Sequence, residues 1–214
     1  MISLSIYCST QTISVALFKE NKLLKILQEK IVDNKIDKLP LMVQRILSLK
    51  KAPFLDVIMF SKGPGSYTVN RSIKALTQGL SLAGNSKLVT LDSFQIYLGN
   101  IDNNFNRVVV FFKDYNDKYF TKIFLNKNQK YRELKKEFLH LDKISLEKLI
   151  LNELQSNPST LFVTSSYNQR EKFQKKIKNI KLITPNAKYL AKSFFNGYGD
   201  KNLDLIYHHT YYSL

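Results

Sequence analysis

Between the apolar run Val57–Phe60 and a stretch of helix-forming residues stands Ser61-Lys62-Gly63-Pro64-Gly65-Ser66-Tyr67-Thr68. Glycine permits positive φ and close approach of another backbone, and Pro64 stiffens the loop between the two glycines. A helix beginning just after this turn would offer free N–H groups able to hold an anion. The Gly-Lys-[Ser/Thr] ending of a P-loop is absent, so two readings stand: a structural corner or an anion cradle. Ser66 occupies the place of a helix N-cap and lacks the G-x-S-x-G order of a hydrolase elbow.

Other chemistry has little to draw on. The three histidines are His140, His208 and His209, so no H-x-x-x-H pair exists. Adjacent His208 and His209 in a strand point to opposite faces. His140, beside Asp142 in a Lys-rich segment, reads as a surface residue. Cys8 has no local histidine to activate it and reads as a small buried residue. As the single cysteine it forms no internal disulfide, which fits a reducing compartment. No catalytic residue and no metal ligand is assigned.

These residues must be positioned by regular elements. Ile2, Leu4 and Ile6 alternate with polar neighbours, as do Ile13, Val15 and Leu17, and Glu20-Asn21 makes a tight turn into a third strand, Leu23 through Ile31. Asp37 caps a helix with Pro40 in its first turn, where Leu39, Met42, Val43, Ile46 and Leu49 repeat at helical spacing until Pro53. Val57–Phe60 is a strand. Val69, Ile73, Leu76, Leu80 and Ala83 mark a second helix after the glycine turn. Lys87–Leu91 is a further strand, and Asp92 or Ser93 caps a helix carrying Phe94 and Tyr97. The order β-β-β-α-β-α-β-α describes an α/β, ribonuclease H-like half-domain, the unit that the actin-like ATPase (ASKHA) superfold uses in duplicate.

Three segments are expected: a first lobe over 1–100, a smaller α/β lobe over 101–184, and a C-terminal helix and tail over 185–214 packing back on the first lobe. The polar tract Asn100–Asn106 reads as the linker. In the second lobe, Arg107–Phe112 and Tyr119–Leu125 pair around Tyr115-Asn116-Asp117, followed by a helix over Leu146–Leu154, a strand over Leu161–Thr164 and a basic helix over Glu171–Ile177. A last helix runs from Asn186 to Phe195, and an aromatic tail closes the chain.

The net charge is +16, from 28 Lys and 5 Arg against 17 acidic residues. Lysine is accompanied by 18 Asn, whereas phosphate and base recognition more often recruits Arg forks. The charge clusters from Arg170 to Lys181, so Arg170, Lys172, Lys175 and Lys176 form either a solvated helix face or a nucleic-acid surface. No apolar run approaches the roughly 20 residues that cross a bilayer. Met1-Ile2-Ser3-Leu4 has no basic region before it, unlike a signal peptide. A cytoplasmic location without membrane contact is expected.

Gly63-Pro64-Gly65-Ser66-Tyr67-Thr68 followed by Arg71 resembles the GPGSFTGLR signature of the TsaB (YeaZ) family. Ile6-Tyr7-Cys8-Ser9-Thr10 through Ser14-Val15-Ala16-Leu17 is similar to the family's IDTST…SVAL strands, and Leu39-Pro40-Leu41-Met42 to its LLPMI helix. Leu91-Asp92-Ser93-Phe94 resembles its V-S-S-L segment, and Pro185-Asn186-Ala187 with Ile206-Tyr207 its late P-x-A and P-x-Y motifs. The resemblance is strong over the first hundred residues and thin from Arg107 to Lys181. It implies two ribonuclease H-like lobes, the second reduced. The role implied is a non-catalytic partner of a TsaD-like catalytic subunit and a TsaE-like ATPase, supporting formation of threonylcarbamoyladenosine beside the tRNA anticodon.

In such proteins the two N-terminal helices meet the partner, and isolated chains pair with themselves through the same surface. The resemblance assigns Leu41, Ile46, Arg71, Ile73 and Leu80 to that interface. It implies no cofactor of the chain's own; a nucleotide, where one binds, lies at the subunit boundary, and tRNA is reached through the complex. Departures are informative. Tyr7 stands where the family has Asp, Lys35 where it has His, Val69-Asn70 where it has Gly-Leu, and Lys113-Asp114-Tyr115 where it has DAR. A tyrosine does not chelate Mg²⁺ as a hard carboxylate does. These changes oppose the rival readings of an independent ATPase or kinase, or a glycoprotease-like peptidase. Direct tRNA binding is the third alternative.

Overall fold

The computed structural model describes residues 1–8, 12–30, 36–48, 54–114, 117–165 and 177–207. The chain divides into two units, Met1–Gly99 with Pro185–Leu214, and Asn100–Thr184.

In the first unit, β1 (Ile2–Cys8), β2 (Thr12–Lys19) and β3 (Lys22–Lys30) form an antiparallel meander. Glu20 takes φ 56° at the β2–β3 corner, the left-handed conformation that tight hairpins use. β4 (Val57–Ser61) and β5 (Lys87–Leu91) join in parallel on the other side of β1, giving the order β3-β2-β1-β4-β5. Parallel neighbours need crossovers, supplied by α1 (Lys38–Ser48) and α2 (Tyr67–Gly84).

Alternation along β1 and β2 serves two cores. Leu4, Ile6, Cys8, Val15 and Leu17 pack with Leu39, Met42, Val43 and Ile46 of α1 and Ile73 of α2. The opposite set, Tyr7, Ala16 and Phe18 with Met59 and Leu91, meets Ala187, Leu190 and Ala191 of the last helix. The helices thus cover both faces of the sheet.

Polar anchors fix the second face. α3 (Ser93–Leu98) is capped by Asp92: its carboxylate accepts from the Gln95 N–H at 2.7 Å, and Gln95 Oε1 accepts from the Asp92 N–H at 3.1 Å. This reciprocal box satisfies two opening donors. The helix over Ala187–Phe195 is capped by Asn186. The Ala187 N–H donates to Ser14 Oγ at 2.8 Å, and Ser5 Oγ donates to the Ala187 carbonyl at 2.7 Å, tying this helix to buried serines of the sheet.

The second unit contains β6 (Arg107–Lys113), β7 (Tyr119–Lys127), β8 (Lys130–Glu133), β9 (Leu139–Leu141), α4 (Lys143–Ser156), β10 (Leu161–Thr164) and β11 (Ile180–Leu182). The Ala187–Phe195 helix is therefore α5. The sheet runs β8-β7-β6-β10-β11, with β9 also on β7. β6, β7 and β8 are antiparallel and β10 and β11 add in parallel, the same plan as β1 to β5. Val109, Phe111, Leu146, Ile150 and Phe162 form its core, and Arg107 grips Glu153 of α4 through two hydrogen bonds of 2.6 and 2.9 Å. The architecture is α/β and ribonuclease H-like, with two lobes. The second is reduced: β8, β10 and β11 have only 4, 4 and 3 residues.

Several expectations change. Asn100–Asn106 is no free linker: Asn126 Nδ2 donates to the Asn103 carbonyl at 2.7 Å and the Tyr131 hydroxyl to the Asp102 carbonyl at 2.9 Å. Strands β8, β9 and β11 had no sequence signal strong enough to name them. Ala83 is exposed rather than on the packed face of α2. Leu49, Pro53, the Tyr115-Asn116 part of the β6–β7 turn, most of the basic segment Glu171–Ile177 and the tail beyond Tyr207 lie outside the described residues.

Burial sets unequal costs on neighbouring positions of α1. Ile46 is 0% exposed and Leu41 55% exposed. Ile46→Ala should lower the unfolding free energy by about 2–5 kcal/mol, and Leu41→Ala by no more than about 0.5 kcal/mol. Urea denaturation of the two variants checks this; equal losses would contradict the packing.

Candidate functional site at the glycine turn

From the end of β4 at Ser61 the chain turns through Lys62–Ser66 into α2. Gly63 has φ +97°, and a Cβ there would stand 2.6 Å from the Ile206 carbonyl oxygen. Positive φ and close backbone approach both require glycine. The backbone of this turn is engaged by three segments. The Gly63 carbonyl accepts from the Ser93 N–H at 2.7 Å and the Pro64 carbonyl from Ser93 Oγ at 2.9 Å. The Lys62 N–H donates to the Leu91 carbonyl at 2.9 Å, and the Lys62 carbonyl accepts from the Ile206 N–H at 2.7 Å.

Side chains reinforce the junction. Lys62 is buried and pairs with Asp200 at 2.7 Å. Asp200 is placed by Gly199, φ +102°, and exchanges two 3.0 Å backbone hydrogen bonds with Thr90 of β5. The Tyr207 ring lies 4.8 Å from that of Tyr67. Arg71 donates to the Tyr67 hydroxyl, and its guanidinium sits 5.0 Å from the ring centroid. Of the two readings of the turn, the structural corner accounts for these contacts.

The start of α2 is different. Gly65 and Thr68 are exposed, and Ser66 at the N-cap makes no side-chain capping bond. Asn70 is 4% exposed, and its Nδ2 has no hydrogen-bond partner among the described residues. That nitrogen lies 3.1 Å from where a Cβ on Gly63 would stand and 3.7 Å from one on Gly65. An unpaired buried donor costs about 1–3 kcal/mol. The sequence signal was present but unused: Asn70, Ile73 and Thr77 form the buried stripe of α2, and an amide on such a stripe needs a partner.

The first hairpin holds no carboxylate where the family has one. Tyr7 is a core side chain facing α5. Burial first, then the neighbouring Tyr97 and Cys8, hold its phenol well above the ordinary range. Cys8 is buried as expected, and burial pushes its thiol up to about 12. Ser9, Thr10 and Lys35 lie outside the described residues. Among the described residues no group of three or more His, Cys, Asp or Glu side chains could hold a metal ion. Nor is any described helix long and apolar enough to cross a membrane.

The assigned interface residues separate by burial. Leu41 and Arg71 are exposed and Leu80 is half-buried against the core. Ile46 and Ile73 are each 0% exposed, so their side chains face the sheet and not a partner. Their regular spacing was the stripe that packs inward. Leu82 of α2, 87% exposed, is an apolar surface residue that the stripe reading passed over. Arg170, Lys172, Lys175 and Lys176, and likewise His208 and His209, lie outside the described residues.

His140 corrects a second expectation. Its side chain is only 9% exposed, its Nε2 is 2.6 Å from Asp114 Oδ2, and its ring stacks on Phe120 with centroids 5.0 Å apart. The pairing of β9 with β7 sets His140 opposite Phe120. The pair could not be foreseen because the three-residue β9 was not.

A sheet of this order, repeated in a second unit, defines the two-lobed actin-like ATPase superfold. Solved structures share it. YeaZ from Pseudomonas aeruginosa superposes with a TM-score of 0.70 at 18% identity, covering 97% of this chain and 99% of that one. A ROK family protein from Streptococcus pneumoniae TIGR4, solved with sucrose, gives 0.53 at 11% identity over 92% and 97%. By sequence, the chain is 33% identical over 97 residues to the tRNA threonylcarbamoyladenosine biosynthesis protein TsaB of Buchnera aphidicola subsp. Acyrthosiphon pisum (strain APS). That match spans 44% of this chain and 43% of that protein, less than half of either. No family model matches. In the sequence of one segment and in the fold throughout, the chain is TsaB (YeaZ)-like.

Two outcomes follow from the turn and the hairpin. Gly63→Ala should lose more than about 1–3 kcal/mol of stability through φ strain and backbone overlap. Gly79→Ala, mid-helix with nothing within 4 Å of the new methyl, should gain about 0.5–1 kcal/mol; urea midpoints with unchanged slopes decide between them. For Cys8, the unfolded thiol ionises near 9 and the folded one near 12. Stability from this group is therefore complete below pH 9 and lost as pH rises through that window. Iodoacetamide at pH 8.5 should label Cys8 slowly in the native protein and rapidly in denaturant; rapid native labelling would place the thiol elsewhere.

Proposed function

We propose that the chain is a non-catalytic partner subunit in formation of tRNA threonylcarbamoyladenosine in the cytoplasm, docking on a TsaD-like catalytic subunit served by a TsaE-like ATPase. The observation that carries this reading is Tyr7. In kinases and ATPases of this superfold an acidic residue on the first hairpin helps organise metal and phosphate, which a tyrosine does not do as a hard carboxylate does, and here that position is an apolar core contact beneath α5. The biosynthetic role named for the Buchnera protein supports the same assignment.

With Tyr7 in the core, this reading gives the lobe a binding role. One side of α1 and α2 packs on the sheet, while each helix keeps an exposed apolar side chain, Leu41 and Leu82. Arg71, exposed at the start of α2, adds a cation to that surface. The same surface serves self-association when the catalytic subunit is absent. A nucleotide, where one binds, belongs to the subunit boundary, and tRNA is reached through the assembled complex.

Capture of the TsaD-like subunit by tagged protein tests the reading. Leu41→Glu with Leu82→Glu should weaken capture at least about tenfold and leave the thermal midpoint almost unchanged, since neither side chain is buried. Undiminished capture would remove these helices as the docking face. Normal tRNA threonylcarbamoylation after deletion of the gene would reject the function itself.

A further inference from the structure

We propose that the exposed lip of the glycine turn is a phosphate-binding site, formed by the opening N–H groups of α2 and the side-chain amide of Asn70. The proposal is independent of the docking reading above. The helix is 18 residues long, has no acidic residue in its first turn, and its N-cap Ser66 makes no side-chain capping bond. Its positive end is therefore compensated neither by a carboxylate nor by a capping hydroxyl.

The second observation is Asn70. It is 4% exposed, its Nδ2 has no partner among the described residues, and a Cβ on Gly65 would meet that nitrogen alone within 4 Å, at 3.7 Å. The amide thus lies beneath the turn against both glycines, 3.1 Å from the Cβ position of Gly63 and 3.7 Å from that of Gly65, the exposed one. Asn70 stands in the buried stripe of α2 with Ile73 and Thr77, where packing alone calls for no amide. An oxyanion at this place supplies what Asn70 lacks. Taking both the helix N–H groups and the amide requires more than one acceptor oxygen, which a phosphate group offers, free or as the end of an ester. Lys62 is not counted in the site, since its ammonium is engaged by Asp200 at 2.7 Å.

The test is thermal denaturation and calorimetric titration of the full chain with inorganic phosphate, with sodium chloride at equal ionic strength as reference. Phosphate should raise the midpoint beyond chloride, and chemical shifts of the Asn70 side chain and the Gly65 and Ser66 amides should move together during titration. Asn70→Leu should raise the midpoint without phosphate and weaken phosphate binding at least about tenfold, the loss expected for one hydrogen bond to a charged group. Gly65→Ala, whose methyl would stand 3.7 Å from the Asn70 nitrogen, should weaken phosphate binding likewise while its midpoint without phosphate stays unchanged. With ATP as probe, tighter binding than inorganic phosphate and the same Asn70 dependence assign the site to an ester's terminal phosphate; equal binding assigns it to free phosphate. Both support the site. A wild-type response no greater than that to chloride, or an undiminished response in either folded variant, overturns it.

Discussion

The close approach of two backbones at Gly63 and Ile206 governs how the first lobe is closed. With 2.6 Å between the Ile206 oxygen and the place a Cβ would occupy, only glycine fits. Because it fits, the Ile206 N–H can donate to the Lys62 carbonyl, and the stretch from Asp200 can run beside β5 and the turn. That stretch brings Leu203 and Leu205 onto the core of α1 and α2. On the other side, Ser93 reaches the turn's carbonyls with its N–H and hydroxyl together. One loop therefore joins β4, α3 and a segment more than a hundred residues away, and the burial of Lys62 becomes tolerable only because Asp200 arrives with that segment.

This dependence explains what the sequence disclosed and what it withheld. The first lobe was legible because its strands are long enough to alternate and its helices long enough to show a stripe. The seven residues of β1 and eleven of α1 carry their own periodicity. The glycine turn was legible as a turn from composition. Its partners were not, since Ser93, Asp200 and Ile206 carry no local mark of meeting it. Burial on both sheet faces also blurred which helix residues were free. Ile46 and Ile73 obey the spacing of an interface as well as that of a core, and only the packed sheet decides between them.

In the second lobe the same plan is written in shorter elements. β9 and β11 have three residues each, too few for a period to emerge. The repeat of β1–β5 in β6, β7, β8, β10 and β11 is visible in pairing directions alone. Missing β9 had a direct cost in chemistry: His140 was placed on the surface, whereas its strand lays it against Phe120 and within reach of Asp114.

Two of the departures from the signature, Tyr7 and Asn70, point to one physical theme. At Tyr7, where the TsaB signature that the chain resembles has a carboxylate, this chain has an apolar core contact, and the lobe gains packing there. At Asn70 the difference runs the other way: where the signature that the chain resembles is apolar, this chain carries an amide inside the helix stripe. The first change needs no compensation, because a tyrosine ring contributes apolar area. The second does, because burial takes an amide from water and the fold supplies no acceptor for its Nδ2 among the described residues. A chain with apolar core at Tyr7 and, against the glycine turn, an amide with no partner among the described residues keeps that donor for something outside itself.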